Sequence, residues 1–104
     1  MNLASQGAIE DILATHEVVV FGKGKKGSPF CGFTARVQIV FEDLDCDYHM
    51  VNVLEDPQMR ADLKTFSDWP TFPQIYVKKE FIGGCDIVEA MAEDGSLAKM
   101  LGQS

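Results

Sequence analysis

The chain has 104 residues, of which 46% are hydrophobic and 24% are charged, and its formal net charge is −7. A chain of this length can form one compact core, so we expect a single domain over residues 1–104. The acidic balance argues against nucleic acid or an anionic membrane as a partner, and no apolar run reaches the roughly 18–20 residues that span a bilayer.

The first half of the chain predicts a helix, a buried strand and a second helix. Residues 5–16 have one apolar face, and Ser5 is the predicted N-cap. Val18–Gly22 is an almost unbroken apolar run, which is typical of a buried central strand. A second helix is predicted from the region of Cys31 to about Leu44, because apolar residues recur there at spacings of three and four: Phe33, Val37, Val40, Phe41 and Leu44.

The middle of the chain predicts a strand followed by a third helix. Residues 48–53 alternate well enough for a strand. Asp56 and Pro57 mark the start of the helix, as its cap and its first residue. Residues 69–73 contain two prolines and an aromatic pair, so we expect the helix to end before them in a constrained turn.

The end of the chain predicts a hairpin and two short helices. Gln74–Val77 and residues 81–83 form its strands, and a turn lies between them. Asp86 and Glu89 resemble a capping box at the start of the next helix, and residues 97–101 form the last one. The order α, β, α, β, α, β, β, α, α indicates an α/β fold with two parallel strands joined by a helix.

Cys31 lies where the first strand gives way to the second helix. Backbone N–H groups are unpaired at a helix start and the helix dipole is positive there, so a thiolate is favoured over a thiol. The alternative is a small core cysteine beside a hydrated loop. Pro29 and Gly32 on either side favour an exposed turn, and we therefore interpret Cys31 as reactive.

Basic residues are concentrated close to this cysteine. Three of them fall within four positions: Lys23, Lys25 and Lys26. This local positive charge on an acidic chain indicates either a small anionic ligand or merely a hydrated charge run. Arg60 and Lys64 lie one turn apart on the third helix, where a solvated face is the alternative reading. Gly83 and Gly84 either form a simple turn or let an anion approach free N–H groups.

The three cysteines are Cys31, Cys46 and Cys85. An odd number without close pairs fits neither a disulfide scaffold nor a zinc site, and residues 1–17 show no export signal, so we expect a reducing compartment. Thr34 stands where a C-x-x-C motif would have its second cysteine, which excludes a two-cysteine redox cycle at that motif. We interpret Cys46 as structural, whereas Cys85 is a ligand neighbour, a disulfide partner or plain core.

Several motifs together resemble the monothiol glutaredoxins of the CGFS type. The motifs are Cys-Gly-Phe-Thr at residues 31–34, Trp-Pro-Thr-Phe-Pro-Gln at 69–74, Gly-Gly-Cys-Asp-Ile at 83–87 and Val-Leu-Glu-Asp-Pro at 53–57. The separation of Lys23 from Cys31 is also similar, and the resemblance extends from about Val18 to Leu101. It implies a thioredoxin-like (glutaredoxin) α/β fold, with a four-stranded mixed central sheet flanked by about five helices.

The resemblance also implies a glutathione site with the ligand sulfur near Cys31. Its glycine carboxylate would lie near Lys23, Arg60 and Lys64, and its peptide backbone would pair with Thr71 and Phe72 beside a cis-Pro73. Its γ-glutamyl end would bind at Gly84, Cys85 and Asp86. A tripeptide with two carboxylates and one ammonium group requires cations, helix N–H groups, a strand edge and an acidic side chain.

The leading functional hypothesis from this resemblance is iron–sulfur handling. Relatives of this type bind a 2Fe–2S cluster between two protomers, and here Cys31 would be the metal ligand of each, with glutathione thiolates completing the four. The implied states are an apo monomer and a cluster-bound homodimer. The implied roles are cluster transfer to acceptor proteins and iron homeostasis with a BolA-like partner, in the cytoplasm or the mitochondrial matrix.

Two alternatives compete with that hypothesis. The first is a glutathione-dependent thiol–disulfide oxidoreductase, at most a weak enzyme, in which Cys31 attacks glutathionylated protein and a second glutathione or Cys85 resolves the disulfide. The second is an interaction module whose cysteines do no chemistry. The chain departs from the family pattern at Thr34, at Phe30 and in the Lys25–Lys26 loop, which bears on ligand preference and weakens the cluster inference.

Overall fold

The computed structural model describes residues 1–103. Its five α-helices are α1 (Leu3–Thr15), α2 (Gly32–Asp43), α3 (Pro57–Ser67), α4 (Cys85–Asp94) and α5 (Ser96–Met100). Its strands are β1 (Val18–Gly22), β2 (Gly24–Lys25), β3 (Ser28–Pro29), β4 (His49–Asn52), β5 (Gln74–Val77) and β6 (Glu80–Gly83), and a 3₁₀ turn spans Val53–Glu55.

The central sheet has four strands in the order β4-β1-β5-β6. Strand β1 runs parallel to β4, with Val20 opposite Met50, and antiparallel to β5, with Val20 opposite Ile75. Strand β6 returns antiparallel to β5. The predicted four-stranded mixed sheet with five helices is therefore confirmed. Its parallel strands β1 and β4 are joined through α2, as the order of predicted elements indicated.

Helices cover both faces of this sheet. On one face, α2, α4 and α5 pack on the even-numbered side chains of β1, and the buried core includes Val37, Phe41, Val88 and Leu97. On the other face, α1 and α3 pack on the odd-numbered side chains, with Ile9, Leu13, Met59 and Leu63 buried. Because β1 is central, all five of its residues are buried, which explains its continuous apolar sequence.

Two local predictions at helix starts are wrong. Asn2, not Ser5, caps α1, because the Asn2 side chain accepts a hydrogen bond from the Ser5 N–H at 3.0 Å. The capping box of Asp86 and Glu89 is absent, because α4 begins two residues earlier than that pattern requires, with Gly84 as its N-cap.

The sequence pattern also missed the small sheet formed by β2 and β3. These strands have two residues each, and they form a hairpin between Lys23 and Phe30 in which Gly24 pairs with Pro29. Two-residue strands are too short for an alternating apolar pattern, so nothing in the sequence distinguished them from loop. The hairpin leads the chain from the end of β1 to Cys31.

Gly22 ends β1 against the side chain of Thr34, and replacing it tests this packing. A Cβ at position 22 would lie 2.9 Å from Cγ2 of Thr34, so we expect Gly22→Ala to destabilise the protein by about 1–3 kcal/mol. Gly7→Ala is the matched control, because a Cβ at this helical position meets no atom within 4 Å, and it should stabilise by about 0.5–1 kcal/mol. Urea unfolding measures both, and equal effects would contradict the packing argument.

Candidate functional site

A cleft of about 740 Å³ opens beside the N-terminus of α2. All ten residues that the sequence analysis assigned to the site line it: Lys23, Cys31, Arg60, Lys64, Thr71, Phe72, Pro73, Gly84, Cys85 and Asp86. They come from the end of β1, the start of α2, the outer side of α3, the segment before β5 and the start of α4. The fold thus brings together motifs that are up to 63 positions apart in sequence, from position 23 to position 86.

Cys31 is the N-cap of α2 and its thiol is partly exposed. Burial by itself would raise the pKa of this thiol, but the backbone N–H groups of Thr34 and Phe33, the Thr34 hydroxyl and the charge of Lys23 outweigh it and lower the pKa below its ordinary value. These groups are the unpaired donors of a helix start and one nearby cation, as the sequence predicted. Cys31 is therefore suited to act as a nucleophile or as a metal ligand.

Thr34 connects the two sides of Cys31. Its side chain is fully buried, and its hydroxyl oxygen accepts a hydrogen bond from the Lys23 N–H at 3.2 Å. The methyl group packs at the end of β1, where only a glycine leaves room for it. Thr34 thereby fixes the backbone before the hairpin against the first turn of α2.

One end of the cleft carries three cations: Lys23, Arg60 and Lys64. Within residues 1–103, none of the three forms an ion pair with an acidic side chain. The Nε atom of Arg60 is buried and has no hydrogen-bond partner in the same part of the chain. Unpaired positive charge and an unsatisfied buried donor together favour a negatively charged group at this end.

The middle of the cleft is formed by the segment that precedes β5. The Phe72–Pro73 peptide bond is cis, as the resemblance implied. The buried Gln74 side chain donates hydrogen bonds to the carbonyl oxygens of Trp69 at 3.1 Å and Thr71 at 3.4 Å, which holds the segment in place. Thr71 and Phe72 thus lie along the cleft just before the start of β5, where their backbone groups can pair with an extended ligand.

The opposite end of the cleft is the N-terminus of α4. Gly84 caps this helix without a side-chain hydrogen bond, and a Cβ there would lie 3.4 Å from the Pro73 carbonyl oxygen. Asp86 lies in the first turn with its side chain 89% exposed, so its carboxylate is not occupied in capping. Free N–H groups and a carboxylate side by side can bind a carboxylate and an ammonium group of one ligand.

Cys85 is buried in the same cleft, but its chemistry is the opposite of that of Cys31. Burial raises the pKa of the Cys85 thiol, and the charge of Glu89 raises it further, whereas Arg36 opposes this only in part. The thiol sulfur and the carboxylate oxygens of Asp86 and Glu89 lie within 4.8 Å of one another. All three cysteines are free. Cys46, which packs at the edge of the core, also has a raised pKa, caused mainly by burial.

Arg36 is a residue of this region that the sequence analysis did not identify. It lies on α2, and its guanidinium pairs with both carboxylate oxygens of Glu89 and lies 3.7 Å from the Asp86 carboxylate. It also lies 5.7 Å from the centre of the Phe33 ring. Phe33, Trp69 and Ile87 add apolar walls to the cleft. Trp69 and Ile87 fall inside recognised motifs, whereas an arginine on a helix gives no sequence signal of its own.

The parallel β1-α2-β4 unit, the antiparallel hairpin and the cysteine at the start of α2 define a thioredoxin-like fold. Two glutaredoxin structures share it. Reduced apo GrxS14 from poplar superposes with a TM-score of 0.84 and 38% identity, covering 93% of this chain and 89% of that one. A buckwheat glutaredoxin solved in complex with glutathione superposes with a TM-score of 0.86 and 25% identity, covering 95% and 88%.

Sequence comparison gives the family within this fold. Residues 18–82 match the glutaredoxin family model. Probable monothiol glutaredoxin 2 of Rickettsia felis is 46% identical over 93 residues, which are 89% of each chain. The mitochondrial monothiol glutaredoxin-5 of Saccharomyces cerevisiae is 46% identical over 97 residues, covering 90% of this chain and 65% of that protein. The chain belongs to the monothiol glutaredoxins.

In the part of the chain that the structure describes, residues 1–103, no helix is long and apolar enough to cross a bilayer.

Replacing Thr34 by valine tests its contribution to the reactivity of Cys31. Valine keeps the shape but removes a hydroxyl that stabilises the thiolate, so the pKa of Cys31 should rise. At pH 7 less thiolate is then present, and alkylation by iodoacetamide should slow by roughly three- to tenfold. The alkylation rate at a pH above the pKa of Cys31, where the thiol is fully ionised in both proteins, should be unchanged.

Thr34→Ser is the control, because it keeps the hydroxyl and loses only the buried methyl group. Its alkylation profile against pH should match that of the unaltered protein. A valine variant with an unshifted profile would show that the hydroxyl does not act on the thiolate.

Proposed function

We propose that this chain binds glutathione in the Cys31 cleft and carries a 2Fe–2S cluster between two copies of itself, for transfer to acceptor proteins. The observation that carries the proposal is one cleft lined by a cysteine of lowered pKa, with unpaired cations at one end and free N–H groups beside a carboxylate at the other. The cluster is the cargo of the protein, and Cys31 is the only residue of the chain proposed to ligate it.

Glutathione fits the sequence of chemical groups along the cleft. Its glycine carboxylate matches Lys23, Arg60 and Lys64, and the buried Arg60 Nε would gain the acceptor it lacks within residues 1–103. Its backbone matches Thr71, Phe72 and Pro73, and its γ-glutamyl end matches Gly84, Cys85 and Asp86. The buckwheat relative supports this ligand, because its structure is a glutathione complex.

A shared cluster follows from the number of thiolates that each chain supplies. A 2Fe–2S cluster requires four, and the raised pKa of the buried Cys85 thiol disfavours the thiolate it would need in order to ligate iron. Two copies of Cys31 and the thiolates of two bound glutathiones complete the set. This gives a homodimer with the cluster and a monomer without it.

The remaining parts of the proposal follow from the family. The chain functions as one domain over residues 1–104, in the cytoplasm or the mitochondrial matrix, and the yeast relative is a mitochondrial protein. Its partners are iron–sulfur acceptor proteins and a BolA-like protein, in a role in iron homeostasis. Neither nucleic acid nor a membrane is a proposed partner, in keeping with the net charge of −7.

Anaerobic reconstitution with iron, sulfide and glutathione tests cluster binding. We expect a coloured dimer with one 2Fe–2S cluster and two glutathiones, measured by visible absorption and native mass spectrometry. Cys31→Ser should abolish the colour and the dimer, because each chain loses its only ligand. Cys46→Ser is the matched control and should reconstitute normally, since Cys46 lies outside the cleft. Colour that persists in Cys31→Ser would refute the proposed ligand.

Calorimetric titration of the apoprotein with reduced glutathione tests the ligand separately from the cluster. Arg60→Gln removes a cation with an unsatisfied buried donor, and we expect binding to weaken by roughly tenfold, as for the loss of one charge-assisted hydrogen bond. Lys99→Gln makes the same change of charge on α5, outside the cleft, and should bind like the unaltered protein. Equal loss in both variants would indicate only a general effect of net charge.

A second candidate function is thiol–disulfide exchange with glutathione. The low pKa and partial exposure of Cys31 favour it, because the same thiolate attacks a glutathionylated protein. Thr34 cannot resolve the mixed disulfide, so a second glutathione or Cys85 would have to do so. A colourless monomer that exchanges glutathione with mixed disulfides, and loses this activity in Cys31→Ser, would favour this function over cluster carriage.

A further inference from the structure

The hairpin of β2 and β3 begins immediately after Lys23 and ends two residues before Cys31. At its base, the Phe30 N–H donates to the Lys23 carbonyl oxygen at 2.9 Å. The Gly24 N–H donates to the Asn52 side-chain oxygen at 3.0 Å, which ties the base to the end of β4. The hairpin therefore holds the carbonyl side of Lys23, whereas Thr34 holds its amide at 3.2 Å. Lys23 and Cys31 both line the cleft.

The tip of the hairpin is tied to α2 by Gln38. This side chain is only 3% exposed, which is unusual for a glutamine, and both ends of its amide are used. Its oxygen accepts from the Gly27 N–H at 3.2 Å, and its NH₂ group donates to the Lys25 carbonyl oxygen at 3.0 Å. Gln38 thus connects the hairpin to α2, the helix that has Cys31 as its N-cap.

Lys26 provides a second tie on the outer side of the hairpin. Its ammonium lies 2.6 Å from the Asp47 carboxylate, 3.0 Å from the Tyr48 carbonyl oxygen and 4.2 Å from the centre of the Tyr48 ring. The Asp47 side chain is 95% exposed, so the ion pair by itself contributes little. The carbonyl and the ring add two further partners in a fixed direction, which hold Lys26 to the segment that follows α2.

These contacts determine the role of the lysine loop. Lys25 and Lys26 line a separate groove with His16 and His49. Of the three lysines, only Lys23 lines the Cys31 cleft. The two additional lysines are therefore not placed to bind the ligand of that cleft. Lys26 is part of the support of the hairpin, and Lys25 contributes its backbone carbonyl, while its ammonium has no hydrogen bond or ion pair within residues 1–103.

We propose that Gln38 and Lys26 are positioning residues that hold the hairpin against the body of the protein, so that Lys23 stays beside Cys31 and is preorganised for the glutathione carboxylate. The inference rests on the proposed glutathione site. Its physical basis is preorganisation: a cation fixed before binding loses less conformational freedom when the ligand arrives than a cation on a loose loop. Neither residue touches the ligand, so both act through Lys23.

Calorimetric titration of the apoprotein with reduced glutathione tests this inference. Lys26→Met and Gln38→Leu should each weaken binding by roughly fivefold, the effect of about one net hydrogen bond. Lys25→Met is the matched control, because it makes the same charge change at the neighbouring position but removes an ammonium that has no partner within residues 1–103. The affinity of this variant for glutathione should stay within about twofold of that of the unaltered protein. Lys26→Arg keeps the donors and the charge and should restore affinity.

A double substitution distinguishes positioning from a general loss of structure. If Gln38 acts through Lys23, then Gln38→Leu should weaken binding no further once Lys23→Gln is present. Additive losses in the double variant would overturn the inference. Hydrogen exchange at the Gly27 amide gives a reading without ligand, and it should be faster in Gln38→Leu; if Gln38→Leu does not fold, the comparison of Lys26→Met, Lys26→Arg and Lys25→Met decides.

The outcomes also separate this inference from the proposed function. If the unaltered protein fails to bind glutathione, the proposed site is refuted together with the inference. If it binds, and Lys26→Met and Gln38→Leu bind equally well, only the positioning role is refuted.

Discussion

The hydrogen bond from the Lys23 amide to the buried hydroxyl of Thr34 joins the two chain segments on which the cleft depends. Lys23 directly follows β1, and Thr34 lies on the first turn of α2, so this bond fixes the backbone on both sides of the Cys31 loop. The same hydroxyl helps to lower the pKa of Cys31. Gly22 permits this close contact because it has no side chain. The hydroxyl at position 34 therefore contributes to the local backbone geometry and to the stability of the thiolate at once.

The cleft contains two cysteines, yet the surroundings give them opposite properties. Cys31 faces the unpaired N–H groups of a helix start and a lysine, which lower its pKa. Cys85 is buried beside Glu89, and both burial and that charge raise its pKa. Two thiols of similar pKa in one cleft would be equally able to react with a disulfide or to ligate a metal. Here the difference in thiolate stability favours Cys31 over Cys85 as the thiolate of the cleft.

The sequence predicted what depends on long apolar patterns, and it failed where short polar contacts decide. The strand Val18–Gly22 and the helices around Phe41 and Leu63 were predicted because burial imposes a period on many residues. The cap of α1 was misplaced, since Ser5 and Asn2 carry equivalent signals and only the backbone geometry chooses Asn2. The residues of the cleft were found through motif resemblance, and no local rule would have assembled them.

The lysine loop shows why neighbours in sequence need not act together. Lys23, Lys25 and Lys26 form one charge cluster along the chain, but the hairpin directs them into two separate grooves. The cleft instead obtains its positive end by combining Lys23 with Arg60 and Lys64 from α3. A protein with a net charge of −7 can thus offer a local site for a carboxylate, because at short range the placement of a few unpaired cations outweighs the total charge. The turn of residues 24–29 therefore determines which of the three lysines lies in the Cys31 cleft, although none of residues 24–29 lines it.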